Sequence, residues 1–103
     1  MKINRYITRG ISEYLSLDLQ ILLWNMVKER DYQGHTDYLH IFKIQEDDNM
    51  LSIIHEQEQP AYKLEYHYTN YVKTQNALPK KVYVIREDDV DVFYYVMLLP
   101  EEY

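Results

Sequence analysis

No cysteine occurs in the sequence, which excludes disulfides, thiolate zinc sites and cysteine nucleophiles together and leaves the core to hold by packing alone. Glycine occurs twice and proline three times, a scarcity that argues against disorder and low complexity. Gly10 and Gly34 stand alone, so no phosphate loop, dinucleotide fingerprint or calcium loop can be built. No internal repeat is present. No apolar run approaches the roughly 20 residues needed to cross a bilayer, and the opening "MKINRYITRG" has no signal-peptide apolar stretch. These absences together lead us to expect a cytoplasmic protein without membrane attachment. Nucleophile motifs are missing too, because Ser12 and Ser16 have neither a histidine partner nor a glycine elbow around them.

What remains is compact and aromatic. At 103 residues the chain is expected to fold as a single domain, residues 1–103, with one core and no room for a separate cofactor domain. Its twelve tyrosines are the dominant aromatic group. The net charge of −6 is unevenly placed, with +1 over residues 1–45 and −7 over residues 46–103. Such a surface repels phosphates, which disfavours direct nucleic-acid binding but leaves open an acidic protein that blocks a nucleic-acid-binding enzyme.

One helix is legible, from Leu17 to Arg30. Ser16 offers an N-cap, Asp18 an acid in the first turn, and Lys28, Arg30 and Gly34 a closing signal. At about 100° per residue, Leu17, Leu19, Leu23, Trp24, Met26 and Val27 cover about half the circumference, more than one sheet contact requires. The helix is expected to be buried by its own fold, and the surplus leaves the alternative that it also meets a second copy of the chain.

Strand patterns fill the rest. "DYLHIFKIQ" and "MLSIIHEQ" read as a hairpin around the turn "EDDN", and "YKLEYHY" alternates strictly, with Tyr62, Leu64, Tyr66 and Tyr68 on one side and Lys63, Glu65 and His67 on the other. "KVYVIRE" and "VDVFYYVMLL" are apolar on both faces and belong in the middle of the sheet, while "RYITRGI" can add a short edge strand. The expected architecture is α+β: one main helix packed on an antiparallel sheet of about five strands.

Two constellations offer chemistry or recognition. If Gln45 faces Met50 across the first turn, His40 faces His55 on the core side, where two imidazoles can share a metal or titrate as a pair. A zinc site needs a third ligand, and His67 falls on the opposite face. His40, His55 and His67 are therefore candidates, with no metal or other cofactor assigned. The acids of "EDD" at 46–48, "EDD" at 87–89 and "EE" at 101–102 read as solvated turns and a tail. Tyr62, Tyr66, Tyr68, Tyr83, Tyr94 and Tyr95, with Trp24 on the helix, are residues of the kind enriched at interfaces.

The stretches "NRYITRGI", "LQILLW", "DYLHIF" and "IIHEQEQPAY" resemble a family of small proteins from Gram-positive bacteria and their phages, catalogued as domain of unknown function 960. The resemblance implies a compact α/β-roll, a bacterial cytoplasmic or prophage setting, and no catalytic residue to carry over. The leading expectation is a non-enzymatic interaction module, a homodimer or a binder of another protein. Two alternatives stand beside it: a small metal-binding protein or hydrolase centred on the histidine pair, and an acidic inhibitor of a nucleic-acid-binding enzyme.

Overall fold

The computed structural model describes residues 4–34, 37–69, 71, 77–88 and 90–103. In chain order its elements are β1 Asn4–Ile7, α1 Arg9–Tyr14, α2 Leu17–Tyr32, β2 Leu39–Asp47, β3 Met50–Gln57, β4 Tyr62–Thr69, β5 Lys81–Asp88, β6 Phe93–Leu98 and a closing 3-10 turn, Pro100–Glu102. All strands join one sheet in the order β1-β6-β5-β2-β3-β4. Every pairing is antiparallel except that of β1, which runs parallel to β6 from Asn4↔Tyr94 to Ile7↔Met97.

The expected antiparallel sheet of about five strands is thus corrected to a six-stranded mixed sheet. The reason lies in β1. All its residues are exposed, so it carries no alternation of burial to read, and the direction of an edge strand follows from the chain path rather than from composition. "RYITRGI" splits at Thr8, whose hydroxyl accepts from the Ile11 N–H at 3.4 Å and starts a short helix instead of continuing the strand.

The long helix starts where the sequence signals it. Ser16 Oγ accepts from the Leu19 N–H, Asp18 lies in the first turn, and the helix runs on past Arg30 to Tyr32. Gly34 follows at φ +119°, a left-handed position that suits glycine. On the inner stripe of α2, Leu19, Leu23, Met26 and Val27 are buried. They form one core with Phe42, Ile44, Leu51, Ile53, Val82, Val84, Tyr95 and Met97 from the inner face of the sheet.

The first hairpin is tighter than expected. The strands continue to Asp47↔Met50, so only Asp48 and Asn49 turn, and Phe42 rather than His40 stands directly opposite His55. Glu46 stays in the strand because its carboxylate is used: it accepts from the Tyr71 hydroxyl at 3.1 Å and from the Leu78 N–H at 3.3 Å. The register differs from expectation by an even step, so every side chain keeps its face. β5 and β6 lie inside the sheet as read, although their strands extend through Glu87 and Asp88 to the pair Asp88↔Phe93.

The chain ends are tied together at Glu102. Its carboxylate accepts from Thr8 Oγ1 at 2.6 Å and from the backbone N–H groups of Gly10 at 3.1 Å and Leu99 at 2.9 Å. A Cβ at residue 10 would stand 2.8 Å from the Glu102 carboxylate and from Leu99 Cδ1, so a larger residue there would have to displace the ends of both side chains.

Candidate functional site

The helix stripe of Leu23, Met26 and Val27 continues to Arg30, and the inner face of β3 runs Ile53, His55, Gln57. Polar groups therefore enter the core at the end where α2 finishes. His40 and His55 are 1% and 0% exposed, and they meet on a diagonal between neighbouring strands, His40 Nδ1 to His55 Nε2 at 2.8 Å. This differs from the expected direct pairing, yet imidazoles are long enough to close the diagonal distance.

A relay of groups surrounds the pair. The Tyr95 hydroxyl donates to Asp31 Oδ2, and Asp31 Oδ1 lies 3.7 Å from His40 Nε2. His55 stacks on Phe42 with ring centres 4.4 Å apart and meets the edge of Tyr62 at 5.2 Å. Arg30 donates from Nε to Gln57 Oε1 at 2.7 Å and lays its guanidinium over the Tyr62 ring at 4.1 Å. Gln57 in turn donates to the Asp37 and Leu39 carbonyls. Residues of α2, β2, β3, β4 and β6 are joined at this end through these contacts.

Proton positions follow from the partners. With the His40 Nε2–H directed at Asp31, His40 Nδ1 accepts from the His55 Nε2–H. His55 Nδ1 is then a bare lone pair, and among the described residues it is a buried side-chain atom without a hydrogen-bond partner. Burial, then His40, then Arg30 hold His55 down to about 3, with Asp31 acting in the opposite sense. The ring is neutral at ordinary pH. Burial, followed by the bond to Asp31, pushes the Tyr95 hydroxyl up, so Tyr95 is a fixed donor.

Among the described residues, no group of three or more His, Asp or Glu side chains is arranged to hold a metal ion. His67 lies on the outer face, bonded through Nδ1 to Ser52 Oγ at 3.2 Å with Nε2 3.6 Å from Glu65. That set has the order of a nucleophile, a base and an acid. It lacks the rest of the machinery, because β3 is paired on both sides at Ser52 and its ladder N–H groups are spent there rather than left for an oxyanion. An open cleft of about 510 Å³ beside it is lined by Ser52, Ile54, Lys43, Leu78 and Lys80.

The expected interface residues separate. Tyr62 is used by Arg30 and His55, Trp24 packs against the core with the Arg5 guanidinium 5.8 Å from its ring, and Tyr94 stands on the outer face against Tyr6. Tyr66 and Tyr68 stay together with Leu64 on the helix side of β4, at 39%, 40% and 45% exposure. β4 is the end strand of the sheet, and among the described residues no strand pairs with its far side.

Sequence reasoning missed Asp31, Arg30, Gln57 and Ser52, and it assigned Tyr95 to an interface although its side chain is buried in the core. Arg30 and Gln57 had a readable signal: each extends an apolar period, the first at helical and the second at strand spacing. Asp31 and Tyr95 had none, since their contact joins residues 64 positions apart.

These features define a two-layer α+β domain with a single helical layer, a polar cluster sealed in the core and an unpaired sheet edge. The chain belongs to the family described as Staphylococcal protein of unknown function (DUF960), whose model matches residues 4–102. A solved structure described as a protein of unknown function from Enterococcus faecalis has the same fold, with a TM-score of 0.77 at 18% identity, covering 98% of this chain and 91% of that one. No curated protein matches the chain.

Proposed function

We propose that this protein is a non-enzymatic interaction module whose working surface is the β4 edge. One observation carries the reading: an eight-residue edge strand with every residue beyond Tyr62 exposed, bearing Leu64, Tyr66 and Tyr68 together. Unpaired N–H and C=O groups along such an edge supply affinity for an extended segment, and alternate side chains supply selectivity. Long, flat, apolar edges are ordinarily blunted by proline, bulges or covering loops. Among the described residues this one carries Lys63, Glu65 and His67 on its outer face and aromatic rings on the helix side, which give contact area at low entropic cost.

The chemical alternative has less support. The two imidazoles are bonded to each other out of contact with solvent, and a catalytic base must reach its substrate. The inhibitor alternative needs acids gathered on one surface. Glu46, Glu56 and Glu102 are instead engaged by Tyr71, Lys43 and Thr8 within the fold.

Photo-cross-linking tests the surface. With benzoylphenylalanine in place of Tyr66, irradiation in cells is expected to give a discrete adduct, while the same group at Tyr94 gives none. Equal or absent labelling at both positions would remove β4 as the working surface.

A further inference from the structure

Resting on that reading of β4, the geometry points to a second copy of this chain as the partner: β4 pairs antiparallel with itself across a two-fold axis centred on Tyr66, joining the two sheets into one. An edge strand that meets its copy in this way sets like-facing residues opposite each other, so odd positions meet odd and even meet even. With Glu65 on the axis, two carboxylates would face each other. With Leu64 on the axis, Lys63 would meet the partner's Glu65, but Tyr68 would fall beside the turn at Pro60, beyond the end of the partner strand.

With Tyr66 on the axis, both faces are complementary. On the helix side Leu64 meets the partner's Tyr68 and Tyr66 meets the partner's Tyr66, so the exposed apolar side chains of β4 cover one another. On the outer side Glu65 meets the partner's His67, and Lys63 meets the partner's Thr69. No like charges stand opposite each other.

The His67 ring is already set for this contact. The Ser52 hydroxyl holds Nδ1 at 3.2 Å; donating to that nitrogen, it leaves the proton on Nε2, aimed at a carboxylate. The chain's own Glu65 is 3.6 Å away, too far for a direct hydrogen bond. The partner's Glu65 completes the bond. A net charge of −6 opposes association of two copies, but salt screens that repulsion beyond roughly 8 Å at physiological ionic strength, while the cross-strand pairs act at contact.

Light scattering and native mass spectrometry on the full chain test the inference with charge variants. Wild type is expected to be a dimer. Glu65→Lys sets Lys against the partner's His67, and His67→Glu sets two carboxylates together, so each alone is expected to weaken the dimer at least tenfold. An equimolar mixture of the two sets Lys against Glu at one contact and keeps the His67–Glu65 hydrogen bond at the other, and it is expected to recover a dimer containing one chain of each. Lys63→Glu is expected to leave the affinity within threefold, whereas the register centred on Leu64 would lose it.

Circular dichroism on each variant separates loss of pairing from loss of fold. A wild type that stays monomeric at millimolar concentration overturns self-pairing, and a foreign adduct at position 66 would leave the interaction reading standing. A dimer indifferent to both charge variants, variants that fold yet do not recover on mixing, or a dimer broken by Lys63→Glu overturns the assigned pairing.

Discussion

At the scale of single residues, His55 is a group whose chemistry is strongly altered by its surroundings. Its folded pKa lies near 3, below the usual histidine value of about 6.5, so the unfolded chain takes up the proton first as pH falls. The stability that comes from keeping this ring neutral is therefore complete above pH about 6.5 and is lost progressively toward pH 3. The urea midpoint of wild type should fall between pH 6.5 and 5, before most carboxylates titrate, and His55→Gln should flatten that slope; an equal slope in both proteins would contradict the assignment. Tyr95 is the second such residue. Its hydroxyl donates to the Asp31 carboxylate inside the fold, and a bond to a charged acceptor contributes roughly 1.5–3 kcal/mol. Tyr95→Phe should cost about that much by denaturant unfolding.

At the scale of elements, the local signals and the packed structure agree most closely in α2. Ser16 caps it, and Ser16→Ala should destabilise the protein by about 1 kcal/mol, read as a lower denaturant midpoint with unchanged slope. Its Leu23 is fully enclosed, and Leu23→Ala should cost about 2–5 kcal/mol, since the surrounding sheet cannot collapse into the space. The terminal turn behaves differently because one carboxylate holds it. Bonds from Thr8, then Leu99, lower the Glu102 pKa, with burial acting in the opposite sense. Its contribution is present at neutral pH and lost as pH falls through the lowered value. Glu102→Gln should reduce the melting temperature at pH 7, and the difference from wild type should shrink as pH falls through the lowered value.

At the scale of the whole molecule, the two sheet edges have different fates. β1 is short and lies beside the chain's other terminus through Glu102, whereas β4 is long and, among the described residues, paired on one side only. Hydrogen exchange in β1 should therefore be independent of concentration. In β4 it should slow as protein concentration rises, because pairing of edges protects their N–H groups. Concentration-independent exchange in β4 would argue against a self-paired edge. Among the described residues no helix is long and apolar enough to cross a membrane.

How much of this was legible depends on the range of the interaction. The cap at Ser16, the apolar stripe of α2, the alternation of β4 and the inward face of Phe42 are set by neighbours a few residues apart, and periodicity exposes such constraints directly. The family resemblance was legible for the same reason, in short contiguous stretches. The parallel placement of β1, the diagonal contact of His40 with His55 and the bond from Tyr95 to Asp31 join segments far apart in the chain. Only the folded path decides which of those meet, because a one-dimensional pattern fixes the face a side chain takes but not the strand that lies beside it.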